Sequence, residues 1–311
     1  MATRSEVFAD IALLRQSLRH AGNPHLPLLQ VDLWRPMRDT AFDLCVIAVA
    51  LTMAIAEPLS LPFALLALGN RQRALGNILH DAAHRNLTRN RRLNDLVTRA
   101  LIAPLLFLSL SRYRDLHFRH HLDLGRAGGD PDLIPIPTRK AASWTRSLAT
   151  NALQWPAFAG SAFGHLVDRA VSWPKRLYIV AWWAAVCALL VTAAGPTAIS
   201  EVMAVWMLAR VTTFHVITTY REMCDHHGLM PGGVFSFTRD LPTAGPWSWL
   251  IHPRNNAYHL THHLLPAIPY YRLPAAQRLF ATLPPFRSRA RVCRSYFSGD
   301  SPVVSEWQRV R

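Results

Sequence analysis

Charge is scarce in this chain of 311 residues: 17% are Asp, Glu, Lys or Arg, while 50% are hydrophobic. Soluble domains carry roughly 25% charged residues, so the deficit points to a membrane protein. The charge present is mostly of one sign, with 34 Lys and Arg against 19 Asp and Glu. Two stretches have no basic residue at all, Arg38 to Arg71 and Arg176 to Arg210 counted between their ends. A net charge of +15 confined outside two apolar gaps fits a lipid bilayer as partner and excludes nucleic acid. Cysteine is also sparse. Cys45, Cys187, Cys224 and Cys293 show no paired spacing, which excludes a disulfide framework, a zinc knuckle and a cysteine-held iron–sulfur cluster. No Gly/Ser linker, low-complexity run or repeat marks a boundary, so residues 1–311 read as one domain. The N-terminus lacks the basic stub and apolar core of a signal peptide.

Each gap is long enough for a helical hairpin across a hydrocarbon core of roughly 30 Å. Glu57-Pro58-Leu59-Ser60 turns the first and Gly195-Pro196 the second. Four spans are expected, at about 40–57, 59–79, 177–195 and 197–220, with the second continuing through Arg71 and Arg73 into polar surroundings. Since the short turns lack Lys and Arg, they face outward, and the termini and the segments 80–176 and 221–311 form a cytoplasmic helical cap. The protein is then all-α and multi-pass, in the inner membrane if bacterial. Ser5 is a candidate cap for an amphipathic helix carrying Phe8, Ile11, Leu14 and Leu18 on one face. Leu101 to Leu110, broken by Pro104, is too short to span and reads as re-entrant or interfacial.

Histidine is what this sequence has in pattern. "HDAAH" places His80 and His84, "HFRHH" places His117, His120 and His121, and "YHLTHHLL" places His259, His262 and His263. Positions i, i+3 and i+4 share one face of a helix, so each triplet converges three imidazoles, and neutral imidazole is a metal ligand. "REMCDHHG" adds His226 and His227; neighbours in a helix point about 100° apart, so one of the pair joins the set. Nine ligands are too many for one ion and suit two. Asp81, Glu222 and Asp225 are candidate carboxylates for orienting the rings, with Asp130 and Asp132 weaker ones. His20, His25, His165, His215 and His252 stand alone and read as surface or packing residues.

These motifs, with "GDPDL" at 129–133, resemble those of the membrane fatty acid desaturase and hydroxylase superfamily over roughly Leu79 to Pro274. The resemblance implies four transmembrane helices in two hairpins, with a cytoplasmic helical cap holding a non-haem diiron centre. It assigns as ligands His80, His84, His117, His120, His121, His259, His262 and His263, with His226 ninth because Asp225-His226-His227-Gly228 looks like the Glu-His-Tyr-Gly stretch of alkane monooxygenases. Two features depart from some relatives: the HxxxH spacing of the first box, and Thr261 where many acyl-lipid desaturases have Glu. The implied activity is an O2-dependent oxidation that begins with hydrogen abstraction from an unactivated C–H bond of a fatty-acyl or other lipid-like chain, free, carrier-bound or lipid-linked. Loss of a second hydrogen gives an alkene; hydroxyl transfer gives an alcohol, so a hydroxylase, monooxygenase or N-oxygenase on a smaller hydrophobic substrate is the alternative. A membrane protein that only binds metal is the non-enzymatic alternative. The chain has no His-Pro-Gly-Gly haem motif, so electrons are expected from a separate ferredoxin, rubredoxin or cytochrome, received at a basic face including Arg287, Arg289, Arg291 and Arg294.

Overall fold

The computed structural model describes residues 3–134 and 143–307. Regular structure among them is helical, with isolated bridges at Asp240 and Ser295. In chain order the helices are α1 (Arg4–His20), α2 (Trp34–Ala56), α3 (Leu61–Ala83), α4 (Arg91–Val97), α5 (Leu110–Leu122), α6 (Trp144–Ala152), α7 (Trp155–Phe163) and α8 (Trp173–Ala194). They continue with α9 (Pro196–Ala209), α10 (His215–His226), α11 (Val234–Phe237), α12 (Pro246–Ile251), α13 (His259–Leu264), α14 (Leu273–Phe280), α15 (Pro284–Arg289) and α16 (Val303–Glu306). The chain divides into two compact units of discontinuous segments: an apolar unit, Asp32–Tyr113 with Ala152–Thr219, and a histidine unit, Met1–Val31 with Arg114–Asn151 and Tyr220–Arg311.

In the apolar unit the turns fall where Glu57-Pro58 and Gly195-Pro196 predict them. The Glu57 side chain accepts from Leu59 N, and Gly195 adopts φ +85°, a conformation that favours glycine. Three helices are long and apolar enough to cross a membrane, Trp34–Ala56, Trp173–Ala193 and Pro196–His226. The fourth expected span is α3, which has the length, at 23 residues, but not the composition. Its second half buries Asn70, Arg71, Gln72, Arg73 and Asn77. Arg71 does not reach polar solvent: its guanidinium bonds Asp43 of α2 at 2.7 Å, both side chains being almost fully buried. A buried charge needs such a partner, because desolvation costs several kcal/mol per ion.

α9 and α10 run on as one helix through a π-turn at Arg210–Phe214. That turn lies against Gly69, where a side chain's first carbon would stand 2.3 Å from Thr213 Oγ1 and 2.6 Å from Phe214 N. Glycine is what lets α3 approach the π-turn so closely, and Thr213 Oγ1 donates to Leu65 O at 2.6 Å. The stretch predicted to be re-entrant breaks into a π-turn at Thr98–Ile102 and a 3-10 turn at Pro104–Leu106. Its backbone carbonyls find donors in α8: Trp182 Nε1 bonds Ala100 O at 2.8 Å and Trp183 Nε1 bonds Pro104 O at 2.9 Å. Irregular backbone away from water requires donors of this kind.

In the histidine unit α1 is capped by Thr3 rather than Ser5, in a reciprocal pair with Glu6. Its buried face is Val7, Asp10, Leu14 and Leu18, while Phe8 is exposed. The helix packs into the unit's core beside Phe235, Leu260 and Phe286. Asp10 is buried there because it accepts from Phe235 N at 3.1 Å and pairs with Arg289 at 2.8 Å.

Candidate metal centre

Within the histidine unit, α5, α10 and α13 bring seven box histidines together. His120, His226, His259 and His263 each offer a ring nitrogen, and these four atoms lie within 4.8 Å of one another, all four residues being buried. His259 Nε2 is 2.9 Å from His226 Nε2 and 3.0 Å from His263 Nε2. Beside them His121 Nε2 lies 3.0 Å from His117 Nε2 and 3.1 Å from His262 Nε2. The His121 ring stacks on His263 with centroids 4.1 Å apart. In the apolar unit, His80 lies on the last turn of α3 and His84 caps its C-terminus, with ring centroids 5.3 Å apart.

The backs of the rings explain why the nitrogens face one another. His226 Nδ1 is 2.8 Å from Phe237 O; a carbonyl only accepts, so Nδ1 carries the proton and Nε2 turns a bare lone pair inward. His120 Nδ1 is 2.8 Å from Asp130 Oδ1, and His259 Nδ1 lies 3.5 Å from Asp225 Oδ2. Burial, then neighbouring imidazoles, push the pKa values of His259 and His263 well below the ordinary range. At His120 burial lowers the pKa, but the hydrogen bond and charge of Asp130 outweigh it and raise it to about 9; a bound cation would displace that proton. At 2.9 to 3.0 Å each facing pair of ring nitrogens is held either by a proton on one of them, donated to its neighbour, or by a cation among them. The donor set therefore fits a metal that accepts imidazole, with outer acceptors fixing the tautomers.

The carboxylates sort differently from their order in the sequence. Asp130, a weaker candidate there, holds His120 and also accepts from Gly125 N at 2.8 Å and Asp132 N at 3.0 Å. Asp225 faces both His259 and His252, each at 3.5 Å, and pairs with Arg221 at 3.0 Å. Glu222 pairs with Arg221 at 3.1 Å, and Asp81 accepts from Asn86 Nδ2 at 3.4 Å.

Asp240 carries no signal in the sequence. Fully buried, it accepts from Thr261 N at 3.0 Å and from Thr261 Oγ1 at 2.6 Å, so it grips the third box between its histidines. Of the isolated histidines, His165 accepts from Ser109 N at 2.8 Å and His215 bonds Ser161 Oγ and Ala152 O. His227 turns away from the cluster toward Trp307.

Comparison with known proteins agrees with this chemistry. The profile of the family described as fatty acid desaturase matches residues 56–293. The chain is similar to dihydrorhizobitoxine desaturase of Bradyrhizobium elkanii, 27% identical over 70% of this chain and 67% of that protein. It is also similar to the chloroplastic omega-3 fatty acid desaturase of Glycine max, 28% identical over 79% of this chain and 60% of that protein. With histidine clusters able to hold metal, helices apolar enough to cross a membrane, and a family profile over most of its length, the chain belongs to the fatty acid desaturase family and is an oxidoreductase.

Proposed function

We propose that the protein is an O2-dependent, diiron membrane oxidoreductase that desaturates a fatty-acyl or other lipid-like chain. The observation that carries this reading is the set of inward-facing imidazole nitrogens, held by Phe237 O, Asp130 and Asp225 from behind. In this reading His120, His226, His259 and His263 hold one iron. His117, His121 and His262 would hold the other, and the family resemblance adds His80 and His84 to the ligand set. The irons, when bound, supply the oxidant that abstracts hydrogen from C–H with O2.

The chain's own residues fix the ligands. Asp130 and Asp225 keep their histidines in the tautomer that offers Nε2, and Asp240 holds α13 through Thr261. Four crossings are proposed, with α3 as the partly polar one shielded by its Asp43–Arg71 pair. Both termini and the metal centre lie on the cytoplasmic side in this topology, where an external ferredoxin, rubredoxin or cytochrome delivers electrons.

A second reading, oxidation of a smaller hydrophobic substrate, draws on the relative named dihydrorhizobitoxine desaturase, which is not named for a fatty acid. Protein purified without oxygen, loaded with iron and supplied with a reductant and candidate lipids under 18O2 tests the proposal. Two irons per chain and an unlabelled alkene product support it. A labelled alcohol assigns hydroxylation instead, and fewer than two irons after full loading overturns the centre.

A further inference from the structure

His252 lies outside every box, yet it is buried beside one. Its Nε2 stands 3.5 Å from Asp225 Oδ1, while the other oxygen of that carboxylate stands 3.5 Å from Nδ1 of the box residue His259. On its far side, His252 Nδ1 is 2.9 Å from the hydroxyl of Tyr296, itself buried. Arg221 anchors the same carboxylate at 3.0 Å and is held in turn by Asn256 Oδ1 at 3.1 Å. Four separate segments thus meet in one line, Tyr296, His252, Asp225 and His259.

The chemistry of the groups gives this line a direction. Asp225 as a carboxylate only accepts, so each imidazole that faces it presents an N–H. His259 then carries its proton on Nδ1, and His252 carries its own on Nε2. The remaining nitrogen of His252, Nδ1, is left as an acceptor, and the Tyr296 hydroxyl is the donor that satisfies it. Turning either imidazole over would set a ring lone pair against the Asp225 carboxylate in a buried site, which is unfavourable.

We propose that His252 and Tyr296 are positioning residues for the four-histidine metal site. They orient the Asp225 carboxylate, and Asp225 in turn holds His259 in the tautomer that turns its Nε2 lone pair toward the metal. The proposal rests on the reading of this cluster as a metal site and adds two residues that box spacing does not reach.

The test uses the full-length protein, loaded with iron and challenged with a ferrous chelator while release is followed by absorbance. Wild type retains two irons per chain. Tyr296→Phe, which deletes one oxygen, and His252→Leu each release one of the two about tenfold faster and leave the other unchanged, as expected when the partner of a ligand is lost. His252→Gln offers an amide donor and acceptor at comparable reach and restores slow release; a role in packing alone would not follow that polarity. Mössbauer spectra of Tyr296→Phe show one perturbed iron site. Release from Tyr296→Phe at the wild-type rate, or equal acceleration of both irons, overturns the proposal. Wild type that retains no iron overturns the metal reading and this proposal with it.

Discussion

At the scale of the residue, the third box shows how a single hydroxyl can matter. Thr261 donates both its backbone N–H and its Oγ1–H to Asp240. Thr261→Val removes one of these and leaves a buried carboxylate oxygen short of a partner, a loss of about 1–3 kcal/mol. The expected outcome is a lower Tm in detergent, with Thr261→Ser close to wild type. Asp240 also carries a pH signature. Burial raises its pKa to about 7, against the opposing hydrogen bonds of Thr261 and the Leu260 N–H. A carboxyl that binds its proton more readily folded than unfolded favours the folded state when protonated. Its contribution is full below the unfolded value near 4, fades as pH rises through about 7 and is constant above. Wild-type Tm should therefore fall between pH 5 and 8 more steeply than that of Asp240→Asn, as thermal scans across that range will measure.

At the scale of the element, α3 is the helix whose sequence and structure pull apart. Its second half is too polar to be recognised as a span by composition, but its polar groups are consumed inside the apolar unit, Arg71 by Asp43 and Arg73 by Asn77. Close packing comes from Gly69. Gly69→Ala places a carbon against Thr213 Oγ1 and Phe214 N and should cost about 1–3 kcal/mol, as overpacking does, seen as reduced Tm and yield. Adding Thr213→Ala should recover part of the loss, because the clash with Thr213 Oγ1 disappears while those with the Cβ of residue 213 and the Phe214 backbone remain. A second glycine does comparable work after His226 and His227. Gly228 has φ +76°, and any side chain there would meet Glu306 O at 2.3 Å, so glycine ends α10 where the segment around α16 passes.

At the scale of the whole molecule, stability and metal are linked. The ring nitrogens of His120, His226, His259 and His263 converge only in the folded chain, so an ion that binds them there should stabilise it. Mass action gives about 2.7 kcal/mol at a free metal concentration one hundred times Kd. Ferrous iron added without oxygen should raise Tm by several degrees and a chelator should reverse the rise; an unchanged Tm under saturating iron would contradict the proposed centre.

What the sequence determined by itself was local: the spacing i, i+3, i+4 that puts His117, His120 and His121 on one face of α5, the Pro- and Gly-marked turns at 57–60 and 195–196, and the apolar stretches of α2, α8 and α9. These are periodic or short-range properties of the backbone, and they do not depend on what lies across the fold. The tertiary structure decided which acceptor stands behind which ring. Asp130 serves His120 from 10 positions away, Phe237 O serves His226 from 11, and Asp240 grips Thr261 from 21. It also drew Tyr296 to His252 across 44 residues. No spacing rule connects such pairs, because each contact exists only once burial has removed the water that would otherwise satisfy these groups and left them to one another.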